Sequence, residues 1–358
     1  MLLKPDWEQA QGRYRQWWAG EEMDRPVVHV TARRPGKESP GWSGWEFAQY
    51  PDDPEPLIER WVRCAEATYY GGEAFPSLWP NLGAGILGGC LGAHVRFQTD
   101  TVWFQTPRPW EQVGDLLLDE NNLWWQRVQR IIEAAVALRN DRYIVAMTDL
   151  GGGLDVVAAL RGTLNLCHDL IDQPEKVDWA RARIQEAWHH CYDVLQSKIE
   201  TQQQGSGAWM GLWCPGRWYP LQCDFSAMIS PQMFERFVAP DLAEDCRRLD
   251  HSVYHWDGPG EIPHLNILLE IEELDAIQWT PGAGNPGVEA PQWMPLYRRI
   301  QAKGKRLVLL GAPPDAVPAM TEALGSKGVL ITTWSRTPEE GEALLAQATR
   351  AARAARQN

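Results

Sequence analysis

The residues best suited to chemistry lie in one short segment, Tyr254-His255-Trp256-Asp257-Gly258-Pro259-Gly260-Glu261. Residues 253–255 have the character of a short buried strand, and the Gly-Pro-Gly turn predicts that the strand ends there. The carboxyl ends of such strands are where α/β enzymes place their active sites. His255 and Asp257 are two residues apart, so along a strand they face the same side. Such a pair can bind a metal, transfer a proton or hold a polar ligand; the alternative is a turn aspartate beside a structural histidine.

The rest of the chain predicts the elements that position this pair. Strand-like runs alternate with helical runs, and we count about eight strands. This rhythm favours an α/β fold, a (β/α)8 TIM barrel, in a single domain over residues 1–358. Extra helices in an N-terminal extension (1–55) and a loop and hairpin insertion (83–107) complete the predicted domain. An open doubly wound sheet is the alternative, but Ala32-Arg33-Arg34, not a glycine-rich phosphate turn, follows the first strand. The glycine motif at 83–88 lacks a clear preceding strand, and we interpret it as a loop.

Four predicted elements surround the candidate site. Strands over 143–148 and 208–213 precede Asp149 and the loop that contains Asp224, respectively. Single helices are predicted over 155–171 and 231–249, the second with Ser230 as N-cap and Pro231 as its first residue. In a barrel the strand ends converge, so we predict that Asp149 and Asp224 join His255 and Asp257 as catalytic residues. Asp149 or Asp155 could instead cap a helix.

Twenty tryptophans are more than packing requires, and several follow predicted strands. Aromatic rings at a pocket mouth stack on flat or cationic ligands, although large rings also fill cores. Arg161 is a further candidate for binding, or else for pairing with Asp149 or Asp155. The predicted substrate-binding residues are Trp279, Trp79, Trp213, Trp256, Trp334, Arg33, Arg161, Asp155 and Glu261.

A metal site is one prediction for this rim, with His255, Asp257 and Cys223 as candidate ligands. The spacing offers a single short His-x-Asp step, so acid–base chemistry without a metal stays open. A serine nucleophile is not predicted, because no G-x-S-x-G elbow occurs.

Charge and cysteine content exclude several classes of function. With 34 Lys and Arg against 47 Asp and Glu, the net charge of −13 disfavours nucleic acid and anionic membranes as partners. The seven cysteines are scattered without a C-x-x-C motif, which is typical of a reduced interior. The N-terminal residues lack the apolar region of a signal peptide, and no apolar run reaches ~20 residues. We therefore predict a cytoplasmic protein.

Three segments of the chain carry a resemblance to a known family: Asp149-Leu150-Gly151-Gly152-Gly153 with the residues to Glu175, Cys223-Asp224-Phe225-Ser226 with the residues to Pro240, and His255-Trp256-Asp257-Gly258 with the residues to Gly282. These segments resemble the uroporphyrinogen decarboxylase superfamily, which also holds methylcobamide:thiol methyltransferases. More particularly, the chain is similar to a bacterial subgroup described as trimethylamine corrinoid protein-like. The resemblance covers the chain from about residue 50 onward and implies a barrel.

The departures from the family bear on the reaction. Zinc-dependent methyltransferases carry His-x-Cys where this chain has His255-x-Asp257, and take a further cysteine from the last strand, where Thr332-Thr333-Trp334 stands. The resemblance therefore implies His255 as a ligand, Asp257 as a substitute, and no thiolate-rich zinc site. The decarboxylases' aspartate after the second strand has no counterpart in residues 75–81, and Arg33 and Arg34 match their arginines loosely.

The resemblance implies a methyltransferase-like enzyme that acts on a small methylated metabolite, with zinc at His255 and Asp257 and a cobamide carried on a partner corrinoid protein. A metal would polarise the methyl donor or acceptor. The alternatives are a metal-independent lyase or hydrolase on a polar or sugar-like molecule, and a non-catalytic binding barrel. A homodimer is the expected assembly. Porphyrinogen decarboxylation is the least favoured role.

Overall fold

Helices and strands alternate along the chain in the computed structural model, which describes residues 1–99, 101–105 and 107–357. The strands are β1 (Val27–Arg33), β2 (Thr68–Gly72), β3 (Ser77–Leu78), β4 (His94–Phe97), β5 (Val102–Gln105), β6 (Ile144–Val145), β7 (Ser206–Gly207), β8 (Trp213–Cys214), β9 (Trp218–Gln222), β10 (His251–Asp257), β11 (Ala276–Thr280), β12 (Arg306–Leu309) and β13 (Val329–Trp334).

The helices vary from single turns to seven turns, and none in the described ranges is both long and apolar enough to cross a membrane. They are α1 (Trp7–Trp18), α2 (Glu46–Gln49), α3 (Pro54–Glu66), α4 (Leu87–Cys90), α5 (Trp110–Val113), α6 (Leu123–Ala137), α7 (Gly153–Arg161), α8 (Thr163–Asp172), α9 (Pro174–Glu200), α10 (Pro231–Phe237), α11 (Ala239–Arg248), α12 (Leu265–Glu270), α13 (Met294–Ala302), α14 (Val317–Leu324) and α15 (Pro338–Ala355). Short 3-10 helices follow β9 (Asp224–Met228) and β10 (Pro259–His264).

The main sheet has seven strands in the order β2-β1-β13-β12-β11-β10-β9. Every pair from β1 to β9 is parallel, and β2 joins β1 antiparallel. The predicted α/β class with a largely parallel sheet is therefore confirmed. The predicted hairpin is also present, since β4 and β5 pair antiparallel; Asp100 and Thr106 of the predicted insertion lie outside the described residues.

Both faces of the main sheet are buried, as expected for parallel strands. One face packs against the surrounding helices, with Tyr254, Ile277 and Leu309 in the larger hydrophobic cluster. The opposite face carries Val253 and Val308 near the amino ends of the strands, where they pack with α1. Alternation along each strand thus assigns its residues to two separate cores.

A balanced group of charges lies where α1 meets β1 and the chain after β2. The Glu73 carboxylate is buried and pairs with Arg25 at 2.7 Å and with Arg13 at 2.7 Å. Burial acts to raise the pKa of Glu73, but Arg25 and Arg13 outweigh it and hold the pKa below its ordinary value. The Tyr14 hydroxyl donates to the Glu73 carbonyl at 3.0 Å and lies 2.6 Å from His29 Nε2. These contacts join α1 to the sheet.

Three predicted elements were wrong in detail. The strand expected over 208–213 is replaced by the two-residue β7 and a turn, and the buried strand β9 was placed in a loop. The helix expected over 155–171 is divided at Gly162, whose φ of 81° ends α7. The helix expected over 231–249 does begin at the Ser230 cap, with Pro231 first, but it is divided at Val238.

Candidate functional site

The ends of β9, β10 and β11 bring the central candidate residues together. His255 pairs in register with Gln222 of β9 and with Gln278 of β11. His255 and Asp257 occupy alternate positions of β10 and face the same side, as predicted, whereas Tyr254 and Trp256 face the helices. Asp224 begins the 3-10 helix that follows β9 and so lies beside both.

Asp224, His255 and Asp257 form a potential ligand set for a metal ion. Each offers one ligand atom, and the three atoms lie within 4.8 Å of one another. Atoms bonded to one ion at about 2.1 Å can be at most about 4.2 Å apart, so closing around an ion needs only a small contraction. Asp224 is exposed, while His255 and Asp257 are half-buried, so the set is open to solvent.

The ring of His255 is oriented by a neighbour on β11. Its Nδ1 hydrogen-bonds to Oε1 of Gln278, and Nε2 of Gln278 donates to Oγ1 of Thr280 at 2.8 Å. An amide oxygen can only accept, so Nδ1 of His255 carries a proton, and in the neutral ring Nε2 is the nitrogen with the free lone pair. This arrangement is typical of metal-binding histidines and of general bases.

A second layer of carboxylates surrounds the three central residues. Asp149 accepts from the Gly151 amide at 2.8 Å, and Asp155 of α7 accepts from the Asp224 and Phe225 amides at 3.0 and 2.8 Å. Glu261 accepts from the Asp257 amide at 3.3 Å, while its Oε1 atom is buried without a partner. The second layer thus fixes the backbone that supports Asp224 and Asp257.

The site has five carboxylates, and burial together with the neighbouring Asp224 raises the pKa values of three of them, Asp149, Asp155 and Glu261. Burial and then Asp224 raise the pKa of Asp149 to about 6 and that of Glu261 to about 9. The same two causes raise the pKa of Asp155. None of the five forms an ion pair with a described lysine or arginine. Carboxylates gathered in this way hold extra protons or require a cation.

Three tryptophans assigned to substrate binding lie instead in the hydrophobic core, which corrects that prediction. Trp256 and Trp279 are fully buried on the helix side of the sheet, 4.5 Å apart between ring centroids. Trp213 packs against α1, with its ring 5.6 Å from that of Trp7. Each ring faces away from the carboxylates because alternation puts it on the other face or at the other end of the strands.

The two remaining predicted rings lie nearer the open ends of the strands. Trp334 is 49% exposed at the end of β13, and Trp79 is half-buried after β3 with its indole N–H unpartnered. The tryptophan that does contact the site is Trp209, which sequence reasoning missed. Its ring lies edge-on to His255 at 5.1 Å, and its buried N–H has no partner. The misplaced strand over 208–213 concealed it.

The other predicted residues are divided between structural and peripheral positions. Cys223 is buried, and burial raises the pKa of its thiol well above the ordinary value. Cys223 also lies outside the potential ligand set, in which Asp224 is the third residue instead. Arg161 pairs with Asp169 at 2.7 Å and stacks on Trp110, and does not pair with Asp149 or Asp155. Arg33 is exposed at the end of β1.

Comparison of the sequence with models of known families and with curated proteins gives no match.

Proposed function

We propose that this chain is a metal-dependent, methyltransferase-like enzyme that acts on a small molecule at the ends of β9, β10 and β11. The observation that supports the proposal most is the set of Asp224, His255 and Asp257, whose ligand atoms lie within 4.8 Å of one another. The likeness of these segments to the uroporphyrinogen decarboxylase superfamily supplies the reaction class.

The residues fit a divalent ion of intermediate hardness. One imidazole and two carboxylates suit zinc, manganese, iron or cobalt, and a set without thiolate differs from the zinc site of the related methyltransferases. The last strand offers no further ligand: Oγ1 of Thr333 donates to the Ala312 carbonyl at 2.7 Å, and Oγ1 of Thr332 accepts from the Gly311 amide at 2.8 Å. Zinc is our first choice, held by the three central residues.

The chain's own groups orient the reactants and manage protons. Gln278 hydrogen-bonds Nδ1 of His255, which leaves Nε2 as the ring nitrogen available to a ligand. Asp155 and Glu261 accept hydrogen bonds from the backbone amides of Asp224 and Asp257, and burial raises the pKa values of both carboxyl groups. The chemistry supplied by a bound ion is Lewis-acid catalysis, which polarises a methyl donor or acceptor and lowers the pKa of a bound thiol or water. A cobamide would arrive on a separate corrinoid protein.

A closed (β/α)8 barrel is part of the same proposal. Beyond the main sheet, β3 and β6 pair in parallel, and Met147 donates its amide to the Gly207 carbonyl at 2.8 Å, next to β7. The Trp218 indole of β9 donates to the Ser206 carbonyl of β7 at 3.1 Å. These contacts support an arrangement in which β3 and β6 precede β9 in sequence order, and these two with the six parallel strands of the main sheet would make the eight strands of a barrel.

A metal-independent lyase or hydrolase is the second candidate, and Asp149 favours it. Burial and the neighbouring Asp224 raise the pKa of Asp149 to about 6, close to the working range of a general acid or base. In this version the free Nε2 of His255 and the carboxyl of Asp149 exchange protons with the substrate directly.

Metal analysis of the purified protein, together with His255→Ala, tests the proposal. We expect near-stoichiometric zinc or another transition metal in the wild type and loss of that metal in His255→Ala. The exposed His190→Ala is the matched control and should keep the metal. A wild type that neither contains nor takes up a transition metal would leave the metal-independent enzyme as the better account.

A further inference from the structure

An open cavity of about 460 Å³ lies between the β4–β5 hairpin and α7 and reaches the carboxylates of the site. This volume is in the range of small-molecule pockets. The residues that line it are Ala84, Gly85, Val102, Trp103, Phe104, Pro107, Asp155, Ala158, Ala159, Gly162, Thr163, Gln222, Asp224, Phe225 and Met228.

The wall of this cavity is apolar, and its charged groups are all acidic. Val102, Phe104, Ala158 and Phe225 supply hydrophobic surface, and Trp103 is 55% exposed beside them. Asp155 and Asp224 are the charged residues of the lining; among the described residues no lysine, arginine or histidine joins them. An apolar wall that ends at two carboxyl groups fits a ligand that has an apolar body and a polar end.

Small residues allow the hairpin to lie this close to the rest of the chain. A Cβ on Gly83 would come within 2.4 Å of Cγ1 of Val102, and one on Gly162 within 2.7 Å of Cγ of Pro107. Both glycines also have positive φ, which other residues rarely adopt. The glycine-rich segment 83–88 therefore seats the hairpin and does not form a phosphate turn after a strand.

We propose that this cavity binds a small molecule with a ring-sized apolar body and a cationic or uncharged polar end, with the polar end at Asp155 and Asp224. The inference rests on the proposed function for its claim that this molecule is the substrate. Opposite charge attracts a cation to the two carboxyl groups, and the aromatic rings of the wall add a favourable contact to its body. An anion would meet like charge with no basic partner in the lining.

Three probes of nearly equal size show which kind of polar end the cavity accepts. Benzylamine has a cationic end, benzyl alcohol an uncharged end and benzoate an anionic end. Calorimetric titration of the metal-free protein at constant pH should show the strongest binding for benzylamine, weaker binding for benzyl alcohol and none for benzoate. Ala158→Phe fills the cavity and should weaken benzylamine binding at least about tenfold, the change that 1.4 kcal/mol represents. The matched control is Ala346→Phe on the exposed side of α15, which should bind as the wild type does.

Benzoate binding equal to that of benzylamine, or wild-type affinity in Ala158→Phe, would overturn the inference. Thermal unfolding of Ala158→Phe shows whether the variant is folded; if it is not, Ala159→Leu replaces it as the smaller change in the same wall. Failure of this inference can be distinguished from failure of the metal proposal, because the probes are titrated without metal.

Discussion

The two ends of the main sheet each contain buried acidic groups, but only at one end are these groups paired with basic side chains. At the amino ends of the strands, Glu73 is buried between Arg13 and Arg25, and their charges hold its pKa low. At the carboxyl ends, five carboxylates lie together without an arginine or lysine partner in the described chain, and burial raises the pKa of Glu261 to about 9. A balanced group holds elements together, whereas an unbalanced one is suited to receive a cation or exchange protons.

A large loss of stability should follow from breaking the buried ion pairs of Glu73 at the amino ends of the strands. Glu73→Gln leaves Arg13 and Arg25 buried beside a neutral amide, and breaking a buried ion pair in this way costs about 3–5 kcal/mol. We expect urea unfolding to show a loss of that order. Glu22→Gln, which removes an exposed partner of Arg356, is the control and should change stability little. Equal stability of the two variants would show that the buried group does not support the fold.

Trp279→Ala tests whether the rings near the open end belong to the core or to the site. Trp279 is fully buried and packs against Trp256 and Trp293, so its removal should cost about 3–5 kcal/mol of unfolding free energy. The exposed Trp334 is the matched control, and Trp334→Ala should leave the unfolding free energy nearly unchanged. If Trp279→Ala instead weakens benzylamine binding without loss of stability, Trp279 belongs to the site.

A smaller effect should appear in the pH dependence of the unbalanced end. The folded pKa of Glu261 is about 9 against an ordinary value of 4.5, so the folded state holds this proton more tightly than the unfolded state does. The contribution of protonated Glu261 to the free energy of unfolding is therefore fully present below about pH 4.5, and it is lost as the pH rises towards 9. Glu261→Gln should remove this loss in metal-free protein.

The measurement is the difference in urea unfolding free energy between pH 5 and pH 8.5, compared among wild type, Glu261→Gln and the exposed control Glu272→Gln. Glu272→Gln should follow the wild type. A wild type whose stability changes no more than that of Glu261→Gln would show that Glu261 is not held in its protonated form.

Local sequence predicted the relative orientation of His255 and Asp257 well, because this orientation depends on strand alternation. His255 and Asp257 share a face, and the turn at Gly258 ends their strand, as the two-residue spacing required. The same alternation puts Trp256 on the opposite face, so its assignment to the site conflicted with that of its neighbours. Trp279 required the register between β10 and β11, in which Gln278 pairs with His255 and Trp279 turns outward.

Other features depend on contacts distant in sequence and could not be predicted from local patterns. Gln278 contacts His255 because β10 and β11 pair in register. Trp209 contacts His255 from a turn, where the sequence had suggested a strand. Strand β9 was missed because Trp218-Tyr219-Pro220-Leu221-Gln222 includes a proline, which normally argues against a central strand. Within the seven-stranded sheet β9 pairs with β10 alone, so Pro220 has no second strand in that sheet to which it would have to donate an N–H.

The most direct test of the central claim is a zinc titration of stripped protein, followed by calorimetry, for the wild type and for Asp224→Asn. We expect one tight site per chain in the wild type, and affinity at least about tenfold weaker in Asp224→Asn, because one ligand of the set is lost. Asp172→Asn, at an exposed position of α8, should bind zinc as the wild type does. Equal zinc affinity in Asp224→Asn and the wild type would contradict the claim that the unbalanced carboxylates form a metal site.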